Sequence, residues 1–257
     1  QTQRNFHGGP QKRRVFLMQF TFPRRILNFL RIKPNLHFLH IGKSGGLNIA
    51  SNFITVDQRG SSNLMPLWKR LFLKRYFIYI RHLDVPWAFR HLSNLIFVIR
   101  DPIERMCSAF YYLIGNEANR KHNQLNEIEQ QIVRNFLNFN DFIEALRKKD
   151  SIHHDLAKGA FYPNSGYQHF WMNYEFYFHS PEAVEEASRR ILYVGHINEY
   201  DEFTRQTSLL MGVNIKKRST NSTKMVTHPL TRENREYLNL ILKSEYLIYD
   251  ALMKLRE

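Results

Sequence analysis

An α/β fold in three layers, a parallel sheet with helices on both faces, is predicted for this 257-residue chain by two strand-to-helix junctions and the order of its apolar runs. The first junction is the short apolar run Leu36-His37-Phe38-Leu39-His40-Ile41, which ends in Gly42-Lys43-Ser44-Gly45-Gly46. With Leu47 to Ile54 behind it, the segment reads as strand, glycine loop, helix. The second is Leu95-Ile96-Phe97-Val98-Ile99, a continuous apolar run of the kind buried on both faces of a parallel sheet. After it Asp101 stands as an N-cap, Pro102 at the first helical position and Glu104 three residues past the cap, so a helix is predicted over 102–114.

Two further strands are predicted, Tyr76 to Ile80 and Ile191 to Gly195. The polar stretch 116–150 has helical spacing at Ile128, Ile132 and Phe136, and again at Phe142, Ala145 and Leu146. Ser180-Pro181 opens another helix, and Thr231 to Leu255 reads as a long amphipathic helix with a break. These helices have the lengths and apolar faces needed to cover a sheet.

The charge balance, 37 basic against 23 acidic side chains for a net +14, implies a polyanionic partner: a nucleotide, an anionic glycan, nucleic acid or a lipid surface. The single cysteine, Cys107, excludes an intrachain disulfide and a multi-cysteine metal site. No acid precedes Asp57, and residues 1–35 form a basic arm whose apolar side chains alternate with Arg and Lys. Such an arm suits an anionic membrane surface, or packs on the domain with its charges solvated. The domain proper is expected over 36–257.

A glycine turn between strand and helix exposes backbone N–H groups and the positive helix end, so it binds phosphate or sulfate, and Lys43 adds a full charge. Gly42-Lys43-Ser44 is not a full Walker A loop, because position 37, where that motif needs its first glycine, is His. The glycines instead follow the lysine. In this, Phe38 to Gly46 resembles the 5′-phosphosulfate loop of sulfotransferases that use PAPS (3′-phosphoadenosine 5′-phosphosulfate). The closer likeness is to the Golgi-type carbohydrate enzymes, among them the heparan sulfate 2-O- and 6-O-sulfotransferases. The typical loop has Pro at the place of Gly42 and Thr at that of Ser44; Ser44 keeps a hydroxyl, and Gly42 is expected only to loosen the turn.

Arg100 and Ser108, eight residues apart across the second junction, resemble the family's 3′-phosphate motif, and a guanidinium fork suits that phosphate. The resemblance implies Lys43, Ser44, Gly45, Gly46, Leu47 and Asn48 around the phosphosulfate and Arg100 with Ser108 on the 3′-phosphate. It also implies that Lys216 to Lys224, with Asn221, Thr223 and Lys224, closes over the nucleotide. Lys43 is expected to act on the leaving group and His82, after the second strand, as general base, with His91 as its competitor. Otherwise His82 is a loop histidine bonded to Asp84.

Trp87, Asn164 and Gln168 are the expected acceptor contacts, the last two in the aromatic-rich segment Phe161 to Trp171, which reads equally as buried core. His153-His154-Asp155 lacks zinc spacing, so no metal is expected. The reaction implied is in-line transfer from PAPS, with PAP as product, to a hydroxyl on a glycan, with no nucleic-acid partner. The alternatives are a P-loop nucleotide kinase or other NTPase, and a non-catalytic polyanion-binding module. The compartment implied is the Golgi lumen or membrane if an anchor has been removed, and the bacterial cytoplasm otherwise.

Overall fold

The computed structural model describes residues 36–45, 54–55, 77–115, 125–211 and 229–256, which belong to one compact unit spanning Pro34–Glu257. Its centre is a five-stranded, wholly parallel sheet. In chain order the strands are β1 (Leu36–Leu39), β2 (Ile54–Thr55), β3 (Phe77–Ile80), β4 (Leu95–Ile99) and β5 (Ile191–His196), and in space they run β2-β3-β1-β4-β5. The helices are α1 (Val85–His91), α2 (Pro102–Gly115), α3 (Glu127–Asn135), α4 (Phe139–Arg147), α5 (His154–Gly159), α6 (Gln168–Trp171), α7 (Tyr174–Phe178), α8 (Pro181–Ala187), α9 (Tyr200–Met211), α10 (Arg232–Ile241) and α11 (Lys243–Lys254).

Alternation along the strands sends side chains to two cores. Leu39, Ile80, Leu95, Phe97, Ile99 and Val194 pack against α1, α7, α8 and α11. Leu36, Phe38, Tyr79, Ile96 and Val98 pack against Phe203 on α9. Helices therefore lie on both faces, the three-layer arrangement expected. A further core, built around Phe110, Phe139, Phe142 and Phe170, joins α2, α4 and α6 and extends to α3, α5 and α10.

The predicted elements map closely. Helix α2 runs 102–115, the Glu104 N–H donates to Asp101 Oδ1 (3.0 Å), and the amphipathic tail breaks at Leu242. Ser180 caps α8, accepting the Ala183 N–H. One expectation is corrected. Ile54, predicted as helical, pairs with Ile78 as part of the two-residue strand β2, because the β3 edge offers it a ladder. The predicted helix before it and the basic arm lie outside the described residues. Among the described residues no helix is long and apolar enough to cross a membrane.

The strand order has a functional consequence. From β1 the chain departs towards β2 on one side, and from β4 towards β5 on the other, so the connections diverge between the carboxyl ends of β1 and β4. Ligands of open parallel sheets bind at such a crevice.

Candidate active site

The loop after β1 departs from ordinary backbone at two places. Lys43 adopts φ 64° and Gly45 φ 85°, the left-handed region. A non-glycine residue in that region is a local strain typical of binding loops. A Cβ at Gly45 would meet Ile197 Cδ1 at 2.5 Å, while the Tyr200 hydroxyl donates to the Gly45 carbonyl (3.2 Å), so only glycine fits there. Lys43 Nζ lies 3.4 Å from the centre of the Tyr112 ring, a cation–π contact that holds its charge at the mouth of the crevice. Ser44 Oγ is buried without a hydrogen bond of ordinary geometry among the described residues, next to the Tyr174 hydroxyl that it perturbs.

Gly42 does more than loosen the turn, and the earlier expectation is corrected. Its N–H donates to Tyr177 Oη (3.1 Å), and a Cβ there would stand 3.1 Å from both His169 Nδ1 and Tyr177 Oη. Three histidines surround this point. The His40 and His82 rings are 4.1 Å apart, and the His169 ring meets His82 edge-on at 5.6 Å. The Tyr79 hydroxyl bonds His40 Nδ1. His82 Nδ1 lies 2.8 Å from the His40 carbonyl, which only accepts, so Nδ1 carries the proton and Nε2 keeps its lone pair. The second polar neighbour of His82 Nδ1 is Tyr177 Oη, at 3.3 Å.

Burial pushes the His82 pKa down to about 4, the His40 carbonyl opposing and Lys43 assisting. Burial also holds His40 well below the usual imidazole value, helped by His82, His169 and Lys43. His37, at the other end of β1, is also lowered by burial against its bond to the Ser93 carbonyl. The consequence for stability has a definite sign. These histidines stay neutral in the fold and take up protons in the unfolded chain below pH about 6.5, so stability is complete above that pH and lost as pH falls towards the lowered folded values. Urea denaturation at pH 7.5 and 5.5 is expected to show the loss, with a limiting slope of about 1.4 kcal/mol per pH unit for each histidine.

Across the crevice, Arg100 leaves β4 with its backbone gripped by one buried side chain. The Tyr174 hydroxyl donates to the Arg100 carbonyl (2.6 Å) and accepts its N–H (2.8 Å). The Arg100 guanidinium is partly exposed and pairs with Glu104 (3.4 Å). The Asp101 carboxylate caps α2 and accepts the Tyr246 hydroxyl (2.9 Å), so it is engaged as a cap rather than projecting as a metal ligand. Ser108 is half-buried one turn before Tyr112, on the helix face that reaches Lys43.

The structure thus brings Lys43, Ser44, Gly45, His82, Arg100 and Ser108 to one sheet edge. Gly46, Leu47, Asn48, Asn221, Thr223 and Lys224 lie outside the described residues. Trp87 is exposed with its ring tilted against that of His91 (5.4 Å between centres), and His91 is exposed at the far end of α1 from His82. Asn164, in a turn at φ 69°, and Gln168 are exposed, while Tyr167, His169 and Phe170 between and beside them are buried. The segment is therefore core on one side and amide surface on the other. Among the described residues no group of His, Cys, Asp and Glu is arranged to hold a metal.

Sequence reasoning missed Tyr174, Tyr177, His169 and Arg105. Arg105 is buried and donates to the His169 carbonyl (3.0 Å) and to Glu245 (3.3 Å). Its signal was present: a charged residue on the apolar stripe of α2, three before Ser108. The tyrosines carried no local signal within an aromatic-rich stretch.

A parallel α/β sheet with a strained lysine loop after β1 and an arginine after β4, on the two sides of its switch point, belongs to the class of folds that bind anionic groups at the strand ends. The comparison with family models agrees: the sulfotransferase family model matches residues 30–250, and the chain belongs to that family. It is a transferase that moves sulfuryl groups from a nucleotide donor to an acceptor. No curated protein matches it. No solved structure does either.

Proposed function

We propose that this chain transfers a sulfuryl group from PAPS to a hydroxyl of a carbohydrate, with His82 as general base. The observation that carries it is the convergence of Lys43, Arg100 and the neutral, Nδ1-protonated His82 on the crevice between β1 and β4. The residues fit the donor: a buried Ser44 hydroxyl, a glycine turn whose backbone has no room for a side chain at Gly45, and cations on both walls.

PAPS, when bound, supplies the sulfuryl group and leaves as PAP. Lys43 places positive charge where negative charge grows on the departing phosphate, and Ser44 and Gly45 cradle that end through the loop. Arg100 and Ser108 hold the 3′-phosphate, the guanidinium exchanging Glu104 for phosphate oxygens. His82 takes the acceptor proton at Nε2, since Nδ1–H is committed to the His40 carbonyl. The exposed Trp87 and the amides of Asn164 and Gln168 are assigned to the acceptor, aromatic faces and amide donors being suited to sugar rings. In the same proposal residues 36–257 are the catalytic domain and 1–35 a basic arm suited to an anionic membrane surface.

Calorimetry without Mg²⁺ tests the donor. PAP is expected to bind in preference to Mg·ATP, and Arg100→Ala to weaken PAP about 10- to 100-fold while leaving adenosine 5′-phosphosulfate, which lacks the 3′-phosphate, nearly unaffected. Preference for Mg·ATP would return the chain to the nucleotide-kinase reading. Salt-sensitive polyanion binding with no turnover would favour a non-catalytic module.

A further inference from the structure

Helix α7 is a turn and a half long, yet two of its side chains reach the two loops of the crevice. Asn173 caps it by accepting the Phe176 N–H (3.0 Å), and Tyr174 and Tyr177, three apart and therefore on one face, are both fully buried. Tyr174 Oη grips both backbone polar groups of Arg100 after β4. Tyr177 Oη accepts the Gly42 N–H after β1 at 3.1 Å and lies 3.3 Å from His82 Nδ1. One oxygen therefore touches the lysine loop and the histidine beside it. Gly42 is buried, and the contact is specific to it: it leaves room for the hydroxyl and supplies the N–H.

We infer that Tyr177 is a positioning residue which, with Gly42, holds the Lys43 loop in its donor-binding conformation and ties that loop to His82. Lys43 and Gly45 adopt left-handed backbone immediately after Gly42, so a fixed Gly42 peptide is what keeps that strained turn in register. The inference rests on the donor reading above.

Proline at position 42 is the diagnostic probe, because it lacks the N–H and places ring carbons against the hydroxyl. Tyr177→Phe is expected to weaken PAP about 5- to 10-fold, the effect of one buried hydrogen bond, and to speed exchange of the Gly42 amide, read by NMR, about 10-fold. Gly42→Pro alone is expected to weaken PAP at least as much. In the double variant the hydroxyl that the ring carbons would meet is gone and neither partner of the bond is left unpaired, while the ring stiffens the loop, so PAP is expected to bind more tightly than in Gly42→Pro alone. A hydroxyl that does not bear on the loop's donor-binding conformation would leave PAP affinity unchanged in Tyr177→Phe and give no such rescue. Wild-type-like PAP affinity in Tyr177→Phe, or additive losses in the double variant, would overturn the inference and leave the donor reading intact. Failure of the wild-type protein to bind PAP would overturn both, and is recognised separately because the Gly42 exchange rates still report whether the bond forms.

Discussion

Lys43→Ala is expected to lower sulfuryl transfer about 10²- to 10³-fold, and His82→Ala about 10²- to 10⁴-fold, in an assay that follows labelled sulfate from PAPS. The two losses have different origins. Lys43 supplies charge to a leaving group in a crevice whose other cation, Arg100, serves the opposite end of the nucleotide in the proposed arrangement, so nothing described replaces it. In the proposed roles His82→Ala removes the proton acceptor, so its effect is expected mainly in kcat. Because burial holds His82 near pKa 4, a base in that state stays active as pH falls from neutrality to about 5 and fails only below, provided the fold survives the acid destabilisation described above. An acid limb near pH 6.5 in kcat/KM would take the role of base away from His82. Full activity in either variant overturns the role given to that residue.

Glu245→Ala is expected to destabilise the fold by about 3–5 kcal/mol in urea denaturation, the largest stability effect foreseen for a single side chain. Arg105 and Glu245 are both buried, at 1% and 3% side-chain exposure, and pair at 3.3 Å. Glu245 also accepts the Tyr174 N–H (3.3 Å), and Arg105 donates to the His169 and Met172 carbonyls (3.0 and 3.4 Å). Burial raises the Glu245 pKa, against the pull of Arg105 and the Tyr174 N–H. Removing the carboxylate leaves a guanidinium in the interior with only carbonyl dipoles, which is the costly half of a broken pair. Glu245→Gln, which keeps an acceptor and the shape, is expected to cost less than Ala. A loss below about 1 kcal/mol in Glu245→Ala would show that water reaches Arg105 and that the pair does not hold α6, α7 and α11 together.

That pair also marks the limit of what could be read along the chain. The strand and glycine turn at Lys43, the Asp101 cap with Pro102 and the break in the C-terminal helix were legible because each depends on residues within a turn or two of one another. Turn geometry, capping and helical spacing are local, so residue order alone carries them. The family membership rests on the match over residues 30–250.

Other features were decided by the tertiary structure alone. Strand β2 has two residues, too few for a periodicity, and exists because the β3 edge pairs with it. The expectation that Gly42 only loosens the turn failed because Tyr177 and His169, 135 and 127 positions away in sequence, fill the space a side chain would need. The state of His82 was equally hidden, since its proton is placed by the carbonyl of His40, just past the end of β1, and its pKa by burial. By itself the sequence determined which residues carry charge, hydroxyl and imidazole to the ends of β1, β3 and β4. Only the packing of α2, α6 and α7 against those ends decided how they are held, because hydrogen bonds between distant segments leave no spacing along the chain.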